Sequence, residues 1–174
     1  RYRMKDGSVR TNPGLLNPNV DRPLGEPDPQ VLTLRVVKDG KTRAVLMNFA
    51  LHCDTVGGNL ISACWPFYMA NGVREKLGAD VEVMFLQGCA GDINHWNVFK
   101  GGHFKGFEEA QRIGNILGPA TLRALDNERE LAPGVVGFAR REVKVPLVKV
   151  TEAQYAEAKA EMAKPYESEE DFTM

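Results

Sequence analysis

The pattern of apolar and polar positions along the 174-residue chain predicts strands that alternate with helices. Two apolar runs, 31–37 and 45–51, flank Asp39 and Gly40, a pair of residues that favours a two-residue β-hairpin turn. The second run is almost uniformly apolar, which is typical of a strand covered on both faces. A further apolar run, 81–87, predicts another buried strand. We expect the hairpin and this strand to lie in one sheet.

Two segments between and after these strands have the features of helices. The first begins near Pro66, which suits a first helical turn, and ends at Gly78. The second, 107–127, carries apolar residues at helical spacing. Residues 134–150 predict one or two more strands, and Thr151 is the predicted N-cap of a last helix. The order of elements predicts an α/β fold in which a mixed β-sheet is layered with helices.

The chain is expected to be organised in three parts. Residues 1–29 are rich in turn formers and predict an ordered loop, with a linker as the alternative. Residues 30–150 form the predicted α/β core, and residues 151–174 a helix and a truncated tail. Because the chain opens with Arg1 and stops within a charged stretch, we interpret it as a piece of a longer protein. The remainder of its own polypeptide is then one expected partner.

Composition narrows the classes of function. Apolar residues make up 43% and charged residues 26% of the chain, which is an ordinary balance for a globular domain. The formal net charge of -1 gives no basic field to attract nucleic acid, so no nucleic-acid partner is expected. The three cysteines have the spacing of neither a zinc ribbon nor a redox pair, and we expect small, half-buried residues without disulfides.

Polar residues follow two of the predicted strands, at the point where each strand ends. Ligands of α/β sheets bind beyond the carboxyl ends of strands, so neighbouring strands would bring the two turns to one pocket. The first turn carries His52, Asp54, Gly57 and Gly58, and the second carries Gly91, Asp92, Asn94 and His95.

The residue types in these turns allow two interpretations. A histidine at a rigid strand end suits a zinc ion, whereas the alternative for His52 is a histidine that is only hydrogen-bonded at the sheet edge. Asp54 is a candidate partner for an imidazole. The glycine-rich turn at 88–97 forms either a nest of N–H groups for an anion or a tight turn in which Asp92 caps its own backbone. His103, in the stretch "KGGHFKG", is expected to be a solvated loop residue.

Four stretches occur in an order that resembles a known family. They are "NPGLLNPNVDRPLGEPDPQVLTLRV", "VLMNFALHCDTVGG", "ISACWPFYMANGVREKLG" and "VMFLQGCAGDIN". Across about residues 11 to 126, the chain resembles the N-terminal catalytic domain of the neutral/alkaline, non-lysosomal ceramidase family.

This resemblance implies a zinc-dependent amidohydrolase that cleaves the N-acyl amide of ceramide or a related lipid. It implies Zn²⁺ as the cofactor and His52 as one zinc ligand, with a second histidine upstream of the chain and a glutamate and a tyrosine downstream. A small-molecule amide or lipid substrate, peripheral membrane contact through that substrate, and a secreted or periplasmic location are further implications.

The chain departs from the family pattern at one position in the second turn. Asn94 stands where the family carries a serine, and His95 stands where it carries a proline. An asparagine offers no nucleophilic hydroxyl, but it can stabilise an oxyanion or orient a zinc-bound water. We therefore interpret Asn94 and Asp92 as catalytic. Contacts to substrate are assigned to Gly91, His95, Gly57 and Gly58, and metal binding to His52.

The departure leaves other functions open. The chain could belong to a metal-dependent hydrolase of another soluble ester or amide on the same scaffold. It could also be a non-catalytic carbohydrate- or lipid-binding module that kept the fold, or a hydrolase that has lost its activity. Fold analogy does not distinguish these functions, because unrelated activities share one scaffold.

Overall fold

Residues 1–131, 134 and 137–164 are described by the structure, which is a computed structural model. The chain divides into two units, Arg1–Leu131 and Ala132–Met174, which are treated separately below.

The first 29 residues contain a small antiparallel sheet rather than only a loop. Strand β1 lies between β2 and β3, and a register shift separates Arg3 from Met4 in the pairing with β3. Strands of two to four residues are too short to show a period, so the turn-rich sequence concealed them. Met4 and Val20 are buried together with Val98. The three strands are β1 (Tyr2–Met4), β2 (Val9–Arg10) and β3 (Val20–Pro23).

A mixed three-stranded sheet forms the centre of this unit, which confirms the predicted sheet. Strand β4 (Leu32–Lys38) pairs antiparallel with β5 (Lys41–Phe49), and β5 pairs parallel with β6 (Glu82–Gln87). The turn residues Asp39 and Gly40 have φ values of 53° and 69°. A type I′ hairpin turn requires positive φ at both central positions, so this pair fixes the register next to the turn, and the register shifts between Val36 and Val37.

Two helices pack on one face of the sheet, as the sequence predicts. Helix α1 (Cys64–Leu77) follows β5 and ends at Gly78, and helix α2 (Gly106–Leu125) follows β6 and continues through Pro119. The layer between the sheet and these helices is the main hydrophobic core. Its buried members are Val45, Met47, Cys64, Trp65, Met69, Val73, Val81, Ala110, Ile113, Leu117 and Leu125.

The other face of the sheet stays exposed in the described part of the chain. Side chains alternate along β5, so Val45 and Met47 are buried in the core while Leu46 belongs to the opposite face. The expectation that both faces of β5 are covered is therefore wrong for the described residues. The apolar side chains of that face on β4 and β6 are each 44 to 56% exposed: Leu32, Leu34, Val36, Met84 and Leu86.

Among its described residues, 134 and 137–164, the second unit contains one helix, α3 (Glu152–Met162). Thr151 caps it as predicted: its hydroxyl accepts a hydrogen bond from the amide of Gln154, whose side chain in turn accepts one from the Thr151 amide. The strands predicted at 134–150 are absent from residue 134 and residues 137–150, so that prediction is wrong there, and residues 135 and 136 lie outside the described part. Alternating apolar residues suit a strand, but a strand also needs a backbone partner. The tail at 165–174 lies outside the described residues as well.

Among the described residues, no helix has the length and apolar character that crossing a membrane requires.

Candidate functional site

The parallel pairing of β5 and β6 brings their carboxyl ends to the same edge of the sheet. Phe49 and Gln87 are the last paired residues, and the Gly88 amide then donates to the Phe49 carbonyl at 2.9 Å. A Cβ atom added at Gly88 would lie 2.9 Å from the Ala50 nitrogen. The backbone segments that follow β5 and β6 therefore leave the sheet in close contact. The loops that carry the candidate residues therefore begin side by side.

His52 lies in the first of these loops, not in the strand. Strand β5 ends at Phe49, two residues before the predicted end at residue 51, so His52 does not directly follow the strand and that prediction is wrong. The ladder stops there because β6 ends at Gln87, opposite Phe49. The His52 carbonyl accepts a hydrogen bond of 2.8 Å from Nε1 of the fully buried Trp65, which fixes the backbone at this position. The histidine is partly buried.

Asp54 and His95 connect the two loops. Nδ1 of His95 lies 3.4 Å from Oδ1 of Asp54, although the two side chains are 3% and 55% exposed, respectively. The sequence identified Asp54 as a partner for an imidazole, and the imidazole that it approaches is that of His95. A backbone hydrogen bond also connects the two loops: the Gly106 amide donates to the Thr55 carbonyl at 2.6 Å.

The other ring nitrogen of His95 has two neighbours. Nε2 lies 2.6 Å from the Phe104 carbonyl oxygen and 2.6 Å from Nε1 of Trp96. The carbonyl can only accept and the indole can only donate, so Nε2 satisfies one of them at a time, according to whether it carries a proton. The rings of His95 and Trp96 meet edge to face, with centroids 5.7 Å apart.

A buried carboxylate on α2 adds charge near this histidine. Glu109 is 5% exposed, and its two oxygens accept hydrogen bonds of 2.6 and 2.7 Å from Arg112. The Arg112 hydrogen bonds hold the pKa of Glu109 below its usual value, and the charges of Arg112, His95 and His103 lower it further. Glu109 is therefore an anion at neutral pH.

Asp92 and Asn94 line a cleft of about 630 Å³. The Asn94 side chain is engaged at both ends: Nδ2 donates to Oδ1 of Asn12 at 3.0 Å, and Oδ1 accepts from the His95 amide at 2.8 Å. This residue therefore links the second turn to the N-terminal segment. The cleft is walled by aromatic, apolar, amide and carboxylate groups, among them Tyr2, Leu24, Glu26, Trp96, Asn97 and Phe99.

The prediction that both turns line one pocket is wrong for this cleft. His52, Gly57, Gly58, Gly91 and His95 lie outside its wall. At each of the three glycines a Cβ atom would find open space within 4 Å, so no described atom makes a close approach there.

The cysteines are all free. Cys64 is buried, and its sulfur lies 2.8 Å from the Thr55 hydroxyl, whereas Cys53 and Cys89 are exposed rather than half-buried.

Two residues around His95 were not identified from the sequence. Trp96 follows His95 directly in the sequence. A large aromatic residue in an otherwise polar turn is unusual, and this feature would have indicated Trp96 as a site residue. Phe104 contributes its carbonyl oxygen, which any residue type would supply, so the sequence carried no signal for it.

The described residues partly suit the zinc ion that the family resemblance implies. His52 offers a neutral imidazole, which is a common zinc ligand. Within residues 1–131, 134 and 137–164, however, no three histidine, cysteine or acidic side chains come together. A zinc ion at His52 would therefore need ligands from elsewhere in the polypeptide.

The chain matches no protein-family model, no curated protein and no solved structure. The structure alone thus defines its class: an α/β arrangement with two small sheets and three helices in the described residues.

Proposed function

We propose that this chain is part of a zinc-dependent amidohydrolase that hydrolyses an N-acyl amide, such as ceramide or a related lipid. One observation supports this function most directly. The parallel pair β5 and β6 places the loop of His52 and the turn from Gly91 to His95 at the same sheet edge, and Asp54 and His95 join them. Ligands of open α/β sheets commonly bind at this edge.

Each candidate residue has a distinct role in this proposal. His52 holds the zinc ion together with ligands from the rest of the polypeptide. A bound zinc ion polarises a carbonyl and lowers the pKa of its water. Asn94 contacts the developing charge on the substrate from the cleft that Asp92 also lines, and because His52 lies outside the wall of this cleft, the substrate must reach from the cleft to the loop of His52. An amide nitrogen has two N–H donors, so Nδ2 of Asn94 can donate to Asn12 and to a substrate oxygen at the same time.

The test is made on the full-length protein. Zinc content is measured by elemental analysis in the wild type, in His52→Ala and in His103→Ala, a matched control in an exposed loop. We expect His52→Ala alone to lower zinc well below one equivalent and to abolish hydrolysis of a long-chain ceramide. A wild type that binds no zinc and cleaves no amide would instead be a binding module.

A second candidate function, hydrolysis of a soluble amide or ester, is favoured by the polarity of the cleft. Its wall includes the carboxylates of Glu26 and Asp92 and the amides of Asn94 and Asn97. Burying such groups against an acyl chain is unfavourable, because they would lose hydrogen bonds to water. Comparing long-chain ceramide with short N-acyl amides and esters on the same enzyme preparation distinguishes the two substrates.

A further inference from the structure

The imidazole of His95 has a buried nitrogen for which the described residues offer no hydrogen-bond partner. Nδ1 is inaccessible to solvent, and it is the only such side-chain atom among those residues. Buried polar atoms in folded proteins are nearly always satisfied, and a bound ion is one group that satisfies such an atom.

The other ring nitrogen determines the state of Nδ1. When Nε2 carries the proton it donates to the Phe104 carbonyl at 2.6 Å, and Nδ1 then presents a lone pair. A histidine that binds a metal through one nitrogen commonly donates from the other to a backbone carbonyl or a carboxylate. The Phe104 carbonyl thus prepares Nδ1 as a ligand.

The alternative is a simple pair between His95 and Asp54. In that arrangement Trp96 donates to Nε2, and Nδ1 carries a proton that should point at the carboxylate. Oδ1 of Asp54 is within 3.4 Å, yet no hydrogen bond joins it to Nδ1. The Asp54 carboxylate therefore lies to one side of the direction in which an Nδ1 proton would point. A third atom placed along that direction can contact both Nδ1 of His95 and Oδ1 of Asp54.

The separation of the two atoms suits one small cation. Two ligands that bind zinc at 2.0–2.1 Å with a tetrahedral angle are roughly 3.3 Å apart. The observed distance from Nδ1 to Oδ1 is 3.4 Å. An imidazole with a carboxylate suits zinc, whereas magnesium and calcium prefer oxygen ligands only.

We propose that Asp54 and His95 bind a divalent transition-metal ion, zinc in the first instance, between the loops that follow β5 and β6. This site does not contain His52 and does not depend on the proposed hydrolase function. Asp54 is more than half exposed, so water can complete the coordination. With two protein ligands, binding is expected to be weaker than at a structural zinc site.

The experiment is a titration of the full chain with Zn²⁺ by calorimetry, and with Co²⁺ by absorption spectroscopy. Asp54→Ala changes an exposed side chain and should leave the fold intact. His95→Gln removes the imidazole, with circular dichroism as the check on folding. We expect each to weaken binding roughly tenfold or more. His103→Ala, the control, should bind like the wild type. In ¹⁵N spectra, Zn²⁺ should shift the Nδ1 resonance of His95.

Three results would overturn the site. They are a wild type that binds no Zn²⁺, an Asp54→Ala variant that binds like the wild type, and a Zn²⁺ titration that leaves the His95 Nδ1 resonance unmoved. Loss of the same binding event in His52→Ala but not in Asp54→Ala would place the ion at His52. That outcome supports the proposed function and rejects the site at Asp54 and His95.

Discussion

The amide of Gly88 donates to the carbonyl of Phe49 at 2.9 Å, directly after Phe49 and Gln87, the last paired residues of β5 and β6. The two backbones are so close here that a Cβ atom at Gly88 would lie 2.9 Å from both the Ala50 nitrogen and the Phe49 carbonyl carbon. The glycine is required for space at this position. The contact of Gly88 with Phe49 and Ala50 determines where the loops that follow β5 and β6 begin.

Gly88→Ala should lower the free energy of unfolding by about 1 to 3 kcal/mol, because backbone atoms must move to admit the methyl group. Urea unfolding measures the change. Gly91→Ala is the matched control in the same loop: a Cβ there meets nothing within 4 Å, and the change should stay within about 0.5 kcal/mol. Equal effects of the two substitutions would contradict the close approach of the strands.

The contact between α1 and α2 gives a similar test at Gly114. A Cβ atom there would collide with the Tyr68 Cβ and would lie 2.8 Å from the Trp65 carbonyl oxygen. Alanine is otherwise the better helix former, by roughly 0.5 to 1 kcal/mol. We nevertheless expect Gly114→Ala to lower the thermal midpoint, whereas Gly118→Ala, whose nearest contact is 3.4 Å away, should keep or raise it. A stabilised Gly114→Ala protein would show that the helices are further apart.

The pair of Glu109 and Arg112 should make stability depend on pH. Arg112 lowers the pKa of Glu109 in the folded protein, so the pair stabilises the fold above the unfolded pKa, about 4.3. This stabilisation is lost as the pH falls through the lowered folded pKa. Glu109→Gln should therefore cost about 1 to 2 kcal/mol at pH 7 and progressively less in acid.

Urea unfolding from pH 7 down to the acid limit measures this dependence. Glu108→Gln is the control, since Glu108 is an exposed neighbour in the same helical turn. A difference between wild type and Glu109→Gln that stays constant with pH would show that the carboxylate charge contributes nothing.

Asn94 can be tested for catalysis separately from structure. If the full-length protein is active and Asn94 stabilises an oxyanion, Asn94→Ala should lower kcat by roughly 10²- to 10³-fold. Asn12→Ala removes the partner of its Nδ2 but leaves the amide in place, so it should affect stability more than kcat. Asn94→Ser tests whether a hydroxyl raises activity on ceramide-like amides. An Asn94→Ala enzyme with unchanged kcat and kcat/KM would exclude the catalytic role.

The sequence predicted correctly those elements whose geometry is set by residues close to one another in the sequence. Asp39 and Gly40 specify their own turn, and Thr151 with Gln154 specifies a helix start. Features that depend on distant backbone partners were missed, such as the short strand β1 and the absence of strands at 137–150. The same limit applies to the site. His95 was identified by its residue type, but its contact with the Phe104 carbonyl depends on the fold of a loop.

The connection between β5 and β6 also bears on the order of folding. The hairpin of β4 and β5 closes through two residues, an event that takes about 1 to 10 μs in isolated hairpins. Pairing β5 with β6 must wait for the intervening chain, including α1, because a parallel pair closes a long loop. The loops of Asp54 and His95 meet only after that step. We therefore expect substitutions at their contact to accelerate unfolding and to leave the folding rate nearly unchanged, a difference that the two arms of a chevron plot display.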